Sequence, residues 1–419
     1  MTPPASPSSE PVPPRVILLL VVATFGTAMA AIVPMSYSLA VRIEQLAPGR
    51  PDLLGVTLGL GAAATLVVAP VTGLLSDRTR SRWGRRRPYT VGGALVGVAS
   101  VPLLALAPNV AVLAMAWMLG TAAWNTAAGS VANWQADHLA PRQRGRVAGI
   151  TGLVMQVAPV VGIALVGIVP HSALFVFGIP AIGGLLCLAP FAVVVDDSDT
   201  RAHPREERLT VGRVLRSYAF SPRAFPDFTW NWCGRFLFFM GVMLTSSFTV
   251  VFYAQRLELA VSAVAGLLAL SSGLSIVTAS IGSLGGGWLS DRVGRRRPVV
   301  LAGALVFATG SALLAFAHDV PSLITGTLVT SLGVALFSAP AQALTLDVLP
   351  NRETEAGRYM AITMFSQKIP GAIAPLVAPM ILGVGAAAGA SNFALLYAVA
   401  ACCAVAGGVV VCAGVRGTR

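Results

Sequence analysis

The sequence predicts an all-α polytopic membrane protein, with twelve transmembrane helices arranged as two pseudo-symmetric six-helix bundles. Three observations carry this. Only 11% of the 419 residues are charged and 55% are hydrophobic, against about 25% charged in a soluble chain, which leaves too little polar surface to coat a water-soluble globule. Apolar runs of roughly 20 residues, the length that crosses a bilayer as a helix, recur twelve times along the chain. The second six runs repeat short motifs of the first six at a nearly constant offset. The same composition excludes disordered, fibrous and disulfide-framework proteins.

Taken in order, Met1 to Pro14 holds six prolines and no basic residue, and reads as a short disordered tail with no signal peptide (1–14). The first bundle spans 15–195, with apolar runs near 16–41, 53–75, 88–107, 110–136, 147–169 and 173–195. The segment 196–227 carries six acids and six arginines. It is expected to be a solvated cytoplasmic linker, with an amphipathic stretch around Leu209 to Tyr218. The second bundle spans 228–415, with runs near 228–255, 261–289, 298–317, 321–346, 358–383 and 391–415, and a tail follows at 416–419. Pro159, Pro370 and Pro375 are expected to unlock backbone in spans five and eleven. The five cysteines all fall in spans without metal-ligand spacing and read as packing residues.

Basic residues favour cytoplasmic loops. With both termini inside, 24 of the 29 basic residues lie on the inner side, only Arg42, Arg50 and Arg256 lie outside, and Arg235 and Lys368 fall within spans. The net charge of +12 is then a matter of orientation in a plasma membrane and attraction to anionic lipid, with no nucleic-acid partner required. Arg42, Glu44, Arg256 and Glu258, at the external ends of spans one and seven, are expected to form an outer-rim salt-bridge set.

The repeat is explicit. Gly73-Leu74-Leu75-Ser76-Asp77-Arg78 matches Gly287-Trp288-Leu289-Ser290-Asp291-Arg292 at an offset of 214. Gly84-Arg85-Arg86-Arg87-Pro88 matches Gly294-Arg295-Arg296-Arg297-Pro298 at 210, Asp137 matches Asp347 at 210, and Gly145-Arg146 matches Gly357-Arg358 at 212. Two parallel six-helix repeats around a midplane site are one way to build an alternating-access transporter.

These loops resemble the loop motif of the major facilitator superfamily, in both copies and in the expected places between spans two and three and between eight and nine. The resemblance implies that superfamily's fold. Its gate residues would be Gly73, Asp77, Arg78, Gly84, Arg85, Arg86, Asp137, Arg146, Gly287, Asp291, Arg292, Gly294, Arg295, Asp347 and Arg358. Carboxylate–guanidinium pairs among them are charge-assisted and often bidentate, suited to latching a cytoplasmic gate that breaks when the halves rock. The long loop from Ser76 to Pro88, with Asn125-Thr126 and Gly129, is similar to the sucrose–proton symporter branch, which implies sugar or glycoside cargo. That branch's mid-membrane aspartate and arginine on span four correspond here to Thr121 and Ala132, so its proton site is absent.

An ionisable group at bilayer depth marks function by default. Lys368, the one lysine of the chain, lies about ten residues, hence about 15 Å, into span eleven. Its repeat mate at offset 212 is Gln156. Desolvated lysines readily give up their proton, which makes Lys368 the coupling candidate. Arg235 lies a third of the way into span seven beside Asn231, and either lines the cavity or pairs with gate carboxylates. Trp124 and Asn125, with Trp117 and Thr121 at helical spacing, form either a stacking face for a solute or a packing face. Trp124, Asn125, Gln156, Arg235 and Lys368 are the substrate-binding candidates. If Lys368 is neutral or paired a neutral solute fits, and if it is charged and unpaired an anionic one does.

The expected function is secondary active transport of a small organic solute, coupled to protons or another ion, by a protein acting as a monomer. A sugar- or glycoside-like polar metabolite is the first reading. A proton-driven efflux pump for a drug or secondary metabolite is the alternative, supported by the missing acid and by the stretch Gly152 to Gly162 with Ala158-Pro159, a degenerate echo of the drug–proton antiporter motif. No cofactor or metal is expected. No enzyme is expected either, because the four histidines fall at span ends or in loops with no nucleophile–base arrangement.

Overall fold

The computed structural model describes residues 11–169, 172–195, 197, 221–350, 356–385 and 391–415, and among them all regular structure is helical. The helices are α1 Pro14–Val33, α2 Leu39–Leu46, α3 Pro51–Arg78, α4 Arg87–Ala105, α5 Val110–His138, α6 Pro141–Gly167 and α7 Ala173–Val194. They continue with α8 Pro226–Ser246, α9 Thr249–Arg256, α10 Ala265–Val293, α11 Arg296–Ala315, α12 Val320–Asp347, α13 Ala356–Gly383 and α14 Phe393–Gly414. Eleven stretches are individually long and apolar enough to cross a membrane, and α8 with α9 makes twelve when counted as one bent span. The protein is a multi-pass membrane protein, and the twelve apolar runs coincide with these stretches. The amphipathic stretch expected around Leu209 to Tyr218 lies outside the described residues.

The helices start where their sequences supply terminal partners. Proline, whose missing N–H is not needed in the first turn, opens α1, α3, α6 and α8. The Asn109 side chain accepts from the Val112 amide to cap α5, and Asp319 and Ser322 form a reciprocal capping box on α12. Hydrogen bonds from Ser322 also hold the exposed Asp319 carboxyl below the ordinary aspartate range.

One span is bent at a break and another carries a π-turn. In span one, Pro34 has no N–H to give the ladder, and the chain passes through a π-turn at Pro34–Ser38 in which the Leu39 amide reaches back to the Pro34 carbonyl. In span seven, α8 and α9 meet at 47°. There Thr245, Ser246, Ser247 and Thr249 each turn their hydroxyl onto a carbonyl three or four residues back, competing with the backbone ladder. Pro34 and Phe248 are repeat-equivalent at the offset of 214. Pro159, expected to let span five bend, lies inside α6, and Pro370 and Pro375, expected to do the same in span eleven, lie inside α13.

The chain divides into two compact units. The first holds the described residues of Met1–Arg50, Leu60–Glu206 and Val261–Ala269; the second holds those of Pro51–Gly59, Glu207–Ala260 and Leu270–Arg419. In the first unit α1 packs on α7 and α4 on α5. In the second, α11, α12, α8 and α14 enclose Phe238, Phe307 and Phe337, with the Phe238 and Phe337 rings stacked. Between helices in lipid no water is expelled, so association rests on close packing. Gly333 shows it: a Cβ there would stand 2.3 Å from the backbone nitrogen of Phe307.

Within each unit the outer-rim arginines find carbonyls and not glutamates among the described residues. Arg42 donates to the Ala107 carbonyl at 2.9 Å, just past the end of α4, and Arg256 donates to the Ala315 carbonyl at 2.8 Å at the end of α11. Each arginine satisfies a helix-end carbonyl left without an intrahelical donor, where the helix dipole also favours a cation. Glu44 and Glu258 remain exposed. Val12, assigned to the tail, is held instead by Gln143 in the first turn of α6, which accepts from its amide and donates to its carbonyl, both at 2.9 Å.

Candidate functional site

The strongest polar constellation joins the ends of four helices in the first unit. Arg86, just ahead of α4, spends each guanidinium nitrogen on a different partner. Nη2 meets Asp77 at 2.6 Å, Nε meets Asp137 at 3.0 Å and Nη1 donates to Ser76 Oγ at 3.0 Å. Ser76 and Asp77 close α3, and Asp137 closes α5. Arg85 adds a second cation on Asp137 at 2.9 Å. The Arg86 side chain is 7% exposed while Asp77 is 49% exposed, so the cluster is sealed around the arginine and open at one rim.

Asp197, just past α7, completes the ring. Its carboxylate accepts from the Arg86 amide at 2.5 Å and the Arg87 amide at 3.1 Å, the place where a helix start favours an anion. The residue is buried, which corrects the expectation that the linker is solvated from its first residues. Gly84 makes room for it. Its φ of +81° lies in the left-handed region, and a Cβ there would stand 2.2 Å from the Asp197 carbonyl oxygen. Gly294, its repeat mate, has φ +65° but open space around the Cβ position. Gly84→Ala is therefore expected to lower the thermal midpoint of the detergent-purified protein by the equivalent of about 2–4 kcal/mol, strain plus the displaced carboxylate. Gly294→Ala is expected to cost only the strain, about 1–2 kcal/mol. Equal shifts for the two variants would remove the role given to Asp197.

The second unit carries a thinner version. Arg296 pairs with Asp347 at 2.9 Å, both about a third exposed. The expectation named Arg295, which is exposed and has no partner among the described residues. Arg296 is the mate of Arg86 at offset 210, a signal already present in the repeat. Arg292 lies over the Trp288 ring at 5.0 Å and Arg358 over Tyr359 at 5.4 Å. The side chain of Asp291 lies outside the described residues. Arg146 is exposed with no partner among them, whereas Arg144 donates to the Leu139 carbonyl at 3.0 Å beyond the end of α5. Arg78 is half-buried, and Gly73 and Gly287 have open space where a Cβ would stand.

The interior candidates separate into three groups. Trp124 is buried inside the first unit, over Gly97 of α4 and against Gly184 of α7. The cleft beside it, lined by Trp117, Thr121, Ser100 and Phe177 among others, leaves about 10 Å³ for the centre of a water-sized sphere, the lower limit for a single water. Asn125 is half-buried and returns its amide N–H to the Thr121 carbonyl at 2.8 Å. Gln156 on α6 and Lys368 on α13 are both exposed and have no hydrogen-bond or ion-pair partner among the described residues. Arg235 on α8 is buried inside the second unit, its guanidinium over the Phe239 ring at 5.7 Å, and of its two alternatives the pairing with gate carboxylates does not occur among the described residues.

Comparison with known proteins agrees with this architecture. The family model of the Major Facilitator Superfamily matches residues 16–284 and 266–416. Multidrug resistance protein MdtH of Aeromonas salmonicida is 31% identical over 150 residues, covering 36% of this chain and 34% of that protein. The match thus spans about a third of the length of that relative. The general alpha-glucoside permease of Schizosaccharomyces pombe is 30% identical over 115 residues, covering 25% of this chain and 19% of the permease. The crystal structure of the nucleoside transporter NupG superposes with a TM-score of 0.75 at 10% identity, covering 94% of this chain and 98% of that one, a likeness of fold alone.

Proposed function

The chain belongs to the Major Facilitator Superfamily, and from that premise we propose that it is a proton-coupled secondary transporter moving a sugar- or glycoside-like polar metabolite across the plasma membrane by alternating access. Like its family it is a transporter of a small solute and not an enzyme. The orientation that the arginine distribution supports puts both termini, the Arg86 cluster and the Arg296–Asp347 pair in the cytoplasm.

The observation that carries the reading is the Arg86 cluster. A guanidinium sealed among the ends of α3, α4 and α5, with one carboxylate left at the rim, is suited to a latch: its charge-assisted bonds form a defined closed state and are exchanged for water when it opens. The sugar-like cargo is supported by the long loop from Ser76 to Pro88 and by the glucoside permease match. The MdtH match and the absence of an acid at Thr121 favour a second reading, export of an amphiphilic drug-like compound.

Purified protein in proteoliposomes with an imposed pH gradient separates the two. The first reading expects accumulation of a labelled sugar or glycoside that collapses when the gradient is dissipated, with no movement of amphiphilic dyes. Dye movement without sugar movement would replace it by the second.

A further inference from the structure

Asn231 and Arg235 lie one helical turn apart on α8, inside the second unit, 1% and 2% exposed. Neighbours at this spacing share a helix face. Both leave polar atoms sealed without partners among the described residues: Nε and Nη1 of Arg235, and Oδ1 of Asn231. The orientation of the asparagine amide follows from its other contact. Thr345 gives its hydroxyl hydrogen to the Ala341 carbonyl at 2.8 Å, so it can only accept from Asn231, and Nδ2 donates to it at 2.9 Å. Thr345 thereby fixes the amide so that its carbonyl oxygen is the atom left without a donor. Phe239, one turn further along the helix from Arg235, covers the guanidinium.

A guanidinium with two of its three nitrogens sealed and no carboxylate partner among the described residues is a costly arrangement in a protein interior, and more so at bilayer depth. It calls for a negative charge. The unsatisfied Asn231 oxygen calls at the same time for a donor beside that charge. A single guanidinium balances a single negative charge, whereas a phosphate monoester carries about 1.5 to 2 at neutral pH and would leave an excess buried.

We propose that Arg235 and Asn231 form a binding site for a hydroxy-carboxylate, the carboxylate accepting from the Arg235 guanidinium and a neighbouring hydroxyl donating to Asn231 Oδ1. If the chain is a transporter as read above, this makes the cargo an acidic polyol or sugar acid in place of a neutral sugar; the site itself does not depend on that reading.

The test uses thermal unfolding of the purified full chain in detergent, at constant pH and ionic strength. D-glucuronate is expected to raise the midpoint of the wild type by roughly 2–4 °C, while its neutral methyl ester, glucose and inorganic phosphate leave it unchanged. Arg235→Gln is expected to lose that rise. Asn231→Asp needs no ligand: a carboxylate one turn from Arg235 supplies the missing charge in place, and the Thr345 hydroxyl can turn its hydrogen from the Ala341 carbonyl onto it, so the resting midpoint is expected to rise and the response to glucuronate to vanish. No glucuronate response in the wild type, an equal response to phosphate or to the methyl ester, or a resting midpoint of Asn231→Asp at or below wild type would each overturn the proposal. Glucuronate exchange across proteoliposomes reads the transporter separately: stabilisation without flux would leave the site standing and remove the transport reading.

Discussion

Arg86→Gln is expected to lower stability by about 3–5 kcal/mol and to abolish transport. The cost comes from what is left behind. Three partners on two other helices, Asp77, Asp137 and Ser76, lose a donor that is 7% exposed in the native chain, and Asp77 and Asp137 are left as neighbouring carboxylates. Arg85 keeps one of them at 2.9 Å, which leaves Asp77 the more exposed to the loss. Arg86→Lys is expected to rescue little. A lysine places one point charge at the end of a flexible stem and cannot address three acceptors on separate helix ends from one fixed plane. The matching change in the second repeat, Arg296→Gln, breaks a pair whose side chains are 30% and 35% exposed, and under ~1 kcal/mol is expected. Unfolding midpoints of the three variants in detergent check the ranking, and flux in proteoliposomes checks the loss of function. Equal penalties at Arg86 and Arg296 would mean that the first cluster is no more of a latch than the second.

Lys368→Ala is expected to abolish solute accumulation driven by a pH gradient while leaving solute–solute exchange within a few-fold of wild type. Lys368 is the one lysine in the chain. It sits on α13 with no hydrogen-bond or ion-pair partner among the described residues. An ammonium in a span is tolerated only where water, a partner or a solute reaches it, which makes this lysine the residue to test for coupling. The variant separates coupling from binding because it removes the candidate coupling group and leaves the rest of the span intact. Measuring both counterflow and pH-driven uptake is essential: unchanged pH-driven accumulation rejects Lys368 as the proton carrier, and loss of both activities assigns it to binding.

Much of this molecule is legible without coordinates. The twelve spans, the repeat and the pairing of Asp77, Asp137 and Asp347 with loop arginines all follow from hydropathy, charge placement and the offsets of 210 to 214. The sequence does not discriminate where several like residues stand together. Arg295 and Arg296 are indistinguishable by composition, yet only Arg296 stands at the repeat position of Arg86. Arg42 and Glu44 look like half of an ion-pair set, but a helix-end carbonyl at 2.9 Å took the arginine. Asp197 had no signal at all, being one acid among six in a loop of balanced charge.

The bent span teaches the same point in a different way. The prolines of spans five and eleven sit inside continuous helices, while span seven broke at a run of hydroxyl residues with no proline in it. In lipid a freed backbone group must find another partner, so where a helix opens depends on who is available to receive it.

The sequence by itself determined the class, the number and place of the spans, the duplication and the charges at the helix ends, because those depend on residues near one another in the chain or on a fixed repeat. Only the tertiary structure decided which guanidinium is sealed and which is open, that Asp197 reaches back 111 residues to the start of α4, and that Arg235 and Asn231 are buried with atoms unsatisfied. Those are questions of which groups lose water together, and desolvation is a property of packed neighbours, not of chain order.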